Sequence, residues 1–85
     1  MEDEIQDIKD QLTEVNEEIA DLKESIQTLK EERMEMEAEM QEEEDELLQE
    51  EIDALDDEID VLKDQLDEQL ELRNSLREEL KEKQS

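Results

Sequence analysis

The chain has 85 residues, of which 51% are charged and 32% are hydrophobic, and it contains no Gly, Pro, Cys, His or aromatic residue. Its 34 acidic and 9 basic residues give a net charge of −25. This charge excludes binding to the phosphates of nucleic acids or to an anionic membrane surface. No apolar run approaches the roughly 20 residues that span a bilayer, so we expect no membrane contact. A cytoplasmic location is the default expectation.

The same composition argues against catalysis and against cofactor or metal binding. A chain without His, Cys or a Gly-rich loop lacks the usual groups of an active site, so we expect no enzyme activity, no catalytic residue and no cofactor. The acidic run at residues 42–46 lacks the glycine and the bent backbone that calcium loops need, so we expect no metal site. Glu, Leu, Lys and Gln in a regular period are instead typical of coiled coils.

Residues 1–33 form a first heptad block. Its apolar residues recur with a spacing that alternates between three and four, which places them at the a and d positions of a coiled coil. One narrow apolar stripe of this kind needs a second helix to cover it. The predicted seam residues of this block are Ile5, Ile8, Leu12, Val15, Ile19, Leu22, Ile26 and Leu29.

The flanking charges favour a parallel, in-register homodimer. In that arrangement each g residue meets the e residue five positions later in the partner chain, and no such pair in the first block is repulsive. An antiparallel pairing would set Glu against Glu and Lys against Lys. The predicted interchain ion pairs are Glu4 with Lys9, Glu18 with Lys23, and Glu58 with Lys63.

Residues 48–85 form a second heptad block with two irregular seam positions. Gln69 and Arg73 occupy d and a, while Leu70 and Leu72 lie at the flanking e and g positions, so that polar and apolar residues are inverted there. The predicted seam residues of this block are Leu48, Ile52, Leu55, Ile59, Leu62, Leu66, Leu76 and Leu80.

Residues 34–47 connect the blocks and shift the register. Ile52 falls 26 residues after Ile26, two short of four heptads, and residues 34–62 contain 15 acids and no Lys or Arg. Met36 and Met40 continue the seam at a spacing near 3.67 residues per turn, the hendecad value. We therefore predict one continuous helix, about 125 Å long at 1.5 Å per residue. The alternative is an antiparallel helical hairpin that turns near residues 41–46.

The segments VNEEIADLKESIQTL (15–29) and EEIDALDDEIDVLKDQL (50–66) are similar to rod segments of cytoskeletal motor proteins, namely kinesin stalks and myosin tails. The resemblance implies a homodimerising stalk that links motor heads to a cargo or regulatory tail. It implies no nucleotide site, because the chain has no phosphate-binding loop.

These observations together predict an all-α coiled-coil module. We expect a structural oligomerisation module, the homodimerising stalk of a larger cytoskeletal, motor or scaffold protein. The alternative is an acidic binding platform, in which the acidic middle or the surface around Leu70 and Leu72 recruits a basic protein partner.

Overall fold

The computed structural model describes residues 2–84, which form two long helices and, within that range, no β-strand. Helix α1 spans Glu2–Glu42 and helix α2 spans Glu46–Gln84. Both are rich in Glu, Leu and Gln, which are good helix formers. Gln6 donates a hydrogen bond to Asp10, and Gln49 donates one to Asp53, each 3.0 Å long and one turn apart along a helix. The predicted all-α class is confirmed.

The helices are separated by a short turn at residues 43–45. Asp45 caps α2, because its Oδ1 accepts a 3.0 Å hydrogen bond from the backbone N–H of Leu47. The backbone carbonyl of Asp45 accepts the first helical bond of α2, from the N–H of Gln49 at 3.2 Å. An Asp side chain at this position satisfies a donor that would otherwise lack a partner. None of the described residues has a positive φ, so the turn needs no glycine.

The two helices pack side by side and run antiparallel. Lys83 near the end of α2 bonds Glu4 near the start of α1, and Arg33 bonds Asp56 closer to the turn. The resulting hairpin measures 63 × 14 × 14 Å along its principal axes. The start of α1 and the end of α2 therefore lie at the same end of the hairpin, with the turn at the other.

The prediction of one continuous helix about 125 Å long is wrong for this structure, and the hairpin alternative is what the chain forms. The physical reason is that the apolar stripe of α2 can cover that of α1 within one chain. The break disrupts only a few backbone hydrogen bonds, and the cap at Asp45 replaces one of them. The turn lies inside the segment 34–47, where the heptad frame shifts.

Candidate functional site: the seam between the helices

The candidate site is the apolar seam that joins α1 and α2. Its buried members recur along both helices, and the rest of the predicted seam is half-buried. The buried seam residues are Ile8, Val15, Ile19, Ile26, Ile52, Leu55, Ile59 and Leu76. The half-buried ones are Ile5, Leu12, Leu22, Leu29, Met36, Met40, Leu48, Leu62, Leu66 and Leu80. All the predicted seam residues are thus buried or half-buried in the hairpin. Their role between two chains stays a prediction.

The register of the hairpin follows from its two interhelical ion pairs. The numbers of the bonded residues add up to 87 for Glu4 and Lys83 and to 89 for Arg33 and Asp56. Residues whose numbers add up to 88 therefore lie at the same level. This register sets each a position of α1 against a d position of α2, as antiparallel coiled coils require. Leu12 meets Leu76 in this way, and Met40 meets Leu48 next to the turn.

The seam is best packed at the end away from the turn. There Ile8, Val15, Ile19 and Leu76 form a cluster of buried side chains. Four half-buried leucines pack against this cluster: Leu12, Leu66, Leu70 and Leu80. Leu70 belongs to this packing although it lies at an e position, and it compensates for the polar residues beside it. The sequence pattern alone did not assign Leu70 to the seam.

Arg33 is a polar seam residue with partners on both helices. Its Nη1 bonds Glu37 Oε1 on α1 at 2.6 Å, and its Nε forms an ion pair with Asp56 on α2. The hydrogen bond to Asp56 raises the pKa of the Arg33 guanidinium above its usual value, against a smaller opposing effect of desolvation. Arg33 therefore ties α1 to α2 at a level where the seam would otherwise carry an unpaired charge.

Gln69 and Arg73 are polar seam residues of a different kind. Both are half-buried, and Gln69 Oε1 and Arg73 Nε are buried atoms without a hydrogen-bond partner among the described residues. The register sets Gln69 opposite Ile19 and Arg73 opposite Val15, neither of which can bond them. Desolvating such groups without a partner costs free energy. These two polar side chains therefore lower the stability of the seam at the level of Val15 and Ile19.

The open end of the hairpin is closed by an ion pair. Lys83 Nζ lies 2.8 Å from Glu4 Oε2. The hydrogen bond to Lys83, followed by the Lys83 charge, lowers the pKa of Glu4, and the same contact raises the pKa of Lys83. Glu4 was predicted to meet Lys9 of a partner chain, and within the hairpin it bonds Lys83 instead. The interchain pairs Glu18 with Lys23 and Glu58 with Lys63 stay predictions, and all four residues are exposed.

Antiparallel packing separates the charges of the two helices onto different edges of the hairpin. The e positions of both helices share one edge, and the g positions share the other. The e edge carries most of the basic residues, and we call it the basic edge: Lys9, Lys23, Lys30, Lys63 and Arg77. The g edge carries acids and no Lys or Arg, and we call it the acidic edge: Glu4, Glu18, Glu32, Glu39, Glu51, Glu58 and Glu79.

The arrangement offers packing surfaces rather than reactive groups. Within residues 2–84, no cluster of three or more acidic side chains is placed so that it could hold a metal ion. Neither α1 nor α2 combines the length and the apolar character that a membrane span requires, as judged over the same residues. No family model, curated protein or solved structure with which we compared the chain matches it.

Proposed function

We propose that this chain is a structural coiled-coil module that joins helices within a larger cytoskeletal, motor or scaffold protein. The observation that supports this proposal is the seam, which continues along both helices from Ile5 to Leu80. Its mechanism is burial of apolar side chains, at about 25 cal/mol for each Å² removed from water. As a hairpin, the module holds the start of α1 next to the end of α2 and places its turn at the far end of a body 63 Å long.

We further propose that the same seam serves a parallel homodimer, in which two opened chains form a rod. Each chain would bury the same apolar residues in either form, so the seam itself favours neither. The hairpin avoids the loss of translational freedom on association, because its second helix is present at high effective concentration. The rod forms interchain ion pairs between g and e residues, such as Glu18 with Lys23. In the hairpin these residues lie on different edges.

The turn is compatible with such an opening. Residues 43–45 have negative φ angles, as helical residues do. Opening would therefore need a change of ψ and the release of the Asp45 cap, without reversal of a left-handed residue. The concentration of the chain then decides between the hairpin and the rod.

The test combines mass and distance. Sedimentation equilibrium should give 10.2 kDa for the hairpin and twice that mass for the rod. Spin labels at Asp21 and Asp64 of one chain, diluted with unlabelled chains, should lie within about 25 Å in the hairpin and about 65 Å apart in a rod with 1.5 Å per residue. The chain concentration is raised to the millimolar range, which is the effective concentration typical of linked segments. If sedimentation then still gives only 10.2 kDa and the spin labels show only short distances, the proposed homodimer is wrong.

Orientation within the rod has its own test. A single cysteine introduced at Ile5 should crosslink to the same position of the partner chain if the two chains are parallel. Crosslinks that form only between a label at Ile5 and a label at Leu80 of another chain would contradict the parallel arrangement. The experiment uses the concentration at which sedimentation shows the dimer.

A second proposed function is an acidic platform for a basic protein partner. The observation that favours it is the tip of the hairpin, where residues 42–46 are all acidic and all exposed. Such a concentration of charge attracts basic partners over a distance. The probe is an oligolysine peptide, whose binding should disappear in about 0.5 M salt, where the Debye length is only a few Å.

Variants of the tip make that test specific. Replacement of Glu43 and Glu44 by Gln should weaken oligolysine binding. The matched control replaces Glu14 and Glu17, exposed acids in the middle of α1, by Gln. Equal loss in both variants would show that the peptide responds to the overall charge and not to the tip.

A further inference from the structure

Helix α2 carries a second apolar line outside the seam. Leu47, Ala54 and Val61 recur every seven residues, and Leu72 follows eleven residues later. Seven and eleven residues are close to two and three helical turns, so the four side chains share one line along the helix. We call these four residues the outer stripe of α2. The corresponding positions of α1 are Asp7, Glu14, Asp21, Thr28 and Glu35.

The outer stripe is exposed although its residues are apolar. Leu47 is 66% exposed, Val61 is 55% exposed and Leu72 is 44% exposed. Near its centre the surface forms a shallow groove lined by Val61, Leu62, Asp57 and Glu58. Because Leu62 is itself a half-buried seam residue, this groove opens next to the seam. Exposed apolar residues that recur on one line of an otherwise charged helix offer a series of apolar contacts to another helix.

The rim of the outer stripe is acidic throughout its central part. Glu51 and Glu58 alternate with the apolar residues along α2, and the register brings Glu32 and Glu39 of α1 alongside them on the acidic edge. This edge carries no Lys or Arg. A partner of matching chemistry therefore presents apolar side chains for the groove and basic side chains for the rim.

A second copy of this chain fits poorly. A two-fold contact would place the same patch on both partners, and the acidic rim of one would meet that of the other. An amphipathic helix with a Leu or Ile stripe between Lys and Arg residues meets both requirements, and such helices bind grooves through anchors at i, i+3 or i+4 and i+7.

We propose that the outer stripe of α2 is a docking site for a basic amphipathic helix of another protein. Leu47, Ala54 and Val61 lie outside the a, d, e and g positions, so they stay clear of the seam in a hairpin and in a parallel rod, whereas Leu72 at g would flank the seam of the rod. For the first three residues the proposal therefore does not depend on the oligomeric state. The outer stripe also differs from the acidic tip as a binding site, because its apolar side chains contribute binding free energy that salt does not screen.

The test uses the full chain and two labelled peptides of about 18 residues and identical Leu and Lys composition. In one peptide the leucines lie on a single helical face, and in the other they are shuffled around the helix. Fluorescence anisotropy should show tighter binding of the first peptide, and a part of that binding should survive 0.5 M salt. Equal binding of both peptides would overturn the proposal, because charge alone would then explain it.

Variants locate the site. Val61→Ser together with Leu72→Ser should weaken binding of the amphipathic peptide about tenfold, the effect of losing modest apolar burial at two side chains. The matched control is Met34→Ser, which changes an apolar residue of α1 that is 67% exposed and lies off the stripe. Unchanged affinity in the double variant would overturn the proposal. Loss of self-association in the double variant, measured by sedimentation, would also overturn the proposal. The outer stripe would then bind a second copy of this chain and not a helix of another protein.

A measurement on the unmodified chain covers the case in which the double variant folds poorly. Addition of the amphipathic peptide should shift the amide NMR signals of α2 around Val61 and leave those of the turn unchanged. Shifts confined to residues 42–46 would assign the binding to the acidic tip and overturn docking at the outer stripe.

Discussion

Arg33 and Arg73 occupy equivalent seam positions and behave differently because of their neighbours. Arg33 lies within reach of Glu37 and Asp56 and forms ion pairs with both. Arg73 is flanked by Leu72 and faces Val15, and its Nε has no partner among the described residues. The same residue type therefore links the helices at one level and weakens their contact at another.

The polar layer next to Arg73 gives a prediction about stability. Gln69→Leu should raise the free energy of unfolding by about 1 kcal/mol, because it removes a buried oxygen without a partner and adds apolar contact with Ile19. For a domain of this size the melting temperature should rise by about 4–8 °C. Circular dichroism melting is the measurement. Gln65→Leu, at an exposed g position, is the control and should change the melting temperature little; an equal rise there would contradict the argument.

The Glu4–Lys83 ion pair gives a prediction about pH. The pKa of Glu4 is lowered, so its contribution to stability is present above its ordinary value of 4.5 and is lost as the pH falls through the lowered value. The pKa of Lys83 is raised, so its contribution is present below 10.5 and is lost as the pH rises through the raised value. Lys83→Gln should therefore lower the melting temperature between these limits and have no effect well outside them.

The measurement is the difference in melting temperature between the wild-type chain and Lys83→Gln, followed across the pH range. The effect should be small, because the pair is solvent-exposed and screened. Lys81→Gln is the control, since this neighbouring lysine is exposed and lies off the seam. A difference for Lys83→Gln that persists at pH 2 would show that packing of its side chain, and not its charge, stabilises the end of the hairpin.

At the scale of the helices, the spacing of the apolar residues predicted which faces of α1 and α2 are buried, whereas the turn was given only as the alternative. Apolar side chains separated by three and four residues must share one face of a helix, so the faces of α1 and α2 followed directly from the spacing. The turn has no comparable signal. It contains no Gly or Pro, and it depends on a single cap, Asp45, in a segment of strong helix formers.

The two-residue offset between the heptad blocks is compatible with the hairpin. When α2 runs back along α1, each a position must meet a d position, and Leu12 with Leu76 and Ile26 with Leu62 satisfy this condition around a centre at residue 44. A hendecad-like spacing accommodates the same offset in a continuous helix. The pattern therefore supported both structures, and the choice depended on the cap and on the covering of the seam within one chain.

The cap gives a prediction about the turn. Asp45→Ala removes the acceptor of the Leu47 N–H and introduces the best helix former, so it should destabilise the hairpin by about 1 kcal/mol and favour the continuous helix. At a concentration where both forms are present, the population with a long Asp21–Asp64 spin-label distance should increase. Glu44→Ala is the matched control, since it also removes one charge and adds one Ala to the turn but leaves the cap intact. An equal increase in both variants would mean that charge or helix propensity, and not the cap, holds the turn.

At the scale of the whole molecule, the charge distribution distinguishes the hairpin from the rod. In the hairpin the register places Lys23 across from Lys63 on the basic edge and Glu32 across from Glu58 on the acidic edge. A parallel pair of chains would instead place Lys23 next to Glu18 and Lys63 next to Glu58, while Glu32 would still meet an acid, Glu37. The hairpin thus folds against a local electrostatic preference, and its stability rests on the apolar seam and on the short connection between its helices.

The net charge of −25 leads to the last prediction, which concerns the stability of the hairpin as a whole. Folding brings the exposed carboxylates closer together than they are in the unfolded chain, and this self-repulsion opposes the compact state. Partial protonation at pH 4.5 reduces the repulsion, and so does salt at pH 7.5, which screens it. Protonation also weakens the attraction of Glu4, Glu37 and Asp56 to their basic partners, but these are three of 34 acidic residues.

We therefore expect the melting temperature to be several degrees higher at pH 4.5 than at pH 7.5, and higher in about 0.5 M salt than in low salt at pH 7.5, where the Debye length falls to a few Å. The measurement is circular dichroism melting at a concentration where sedimentation shows only the monomer, so that dimer formation does not contribute. Light scattering checks that the chain stays soluble near its isoelectric point of about 4.1. A lower melting temperature at pH 4.5 in a soluble sample would show that the three ion pairs contribute more to the hairpin than the repulsion among all its other carboxylates takes away.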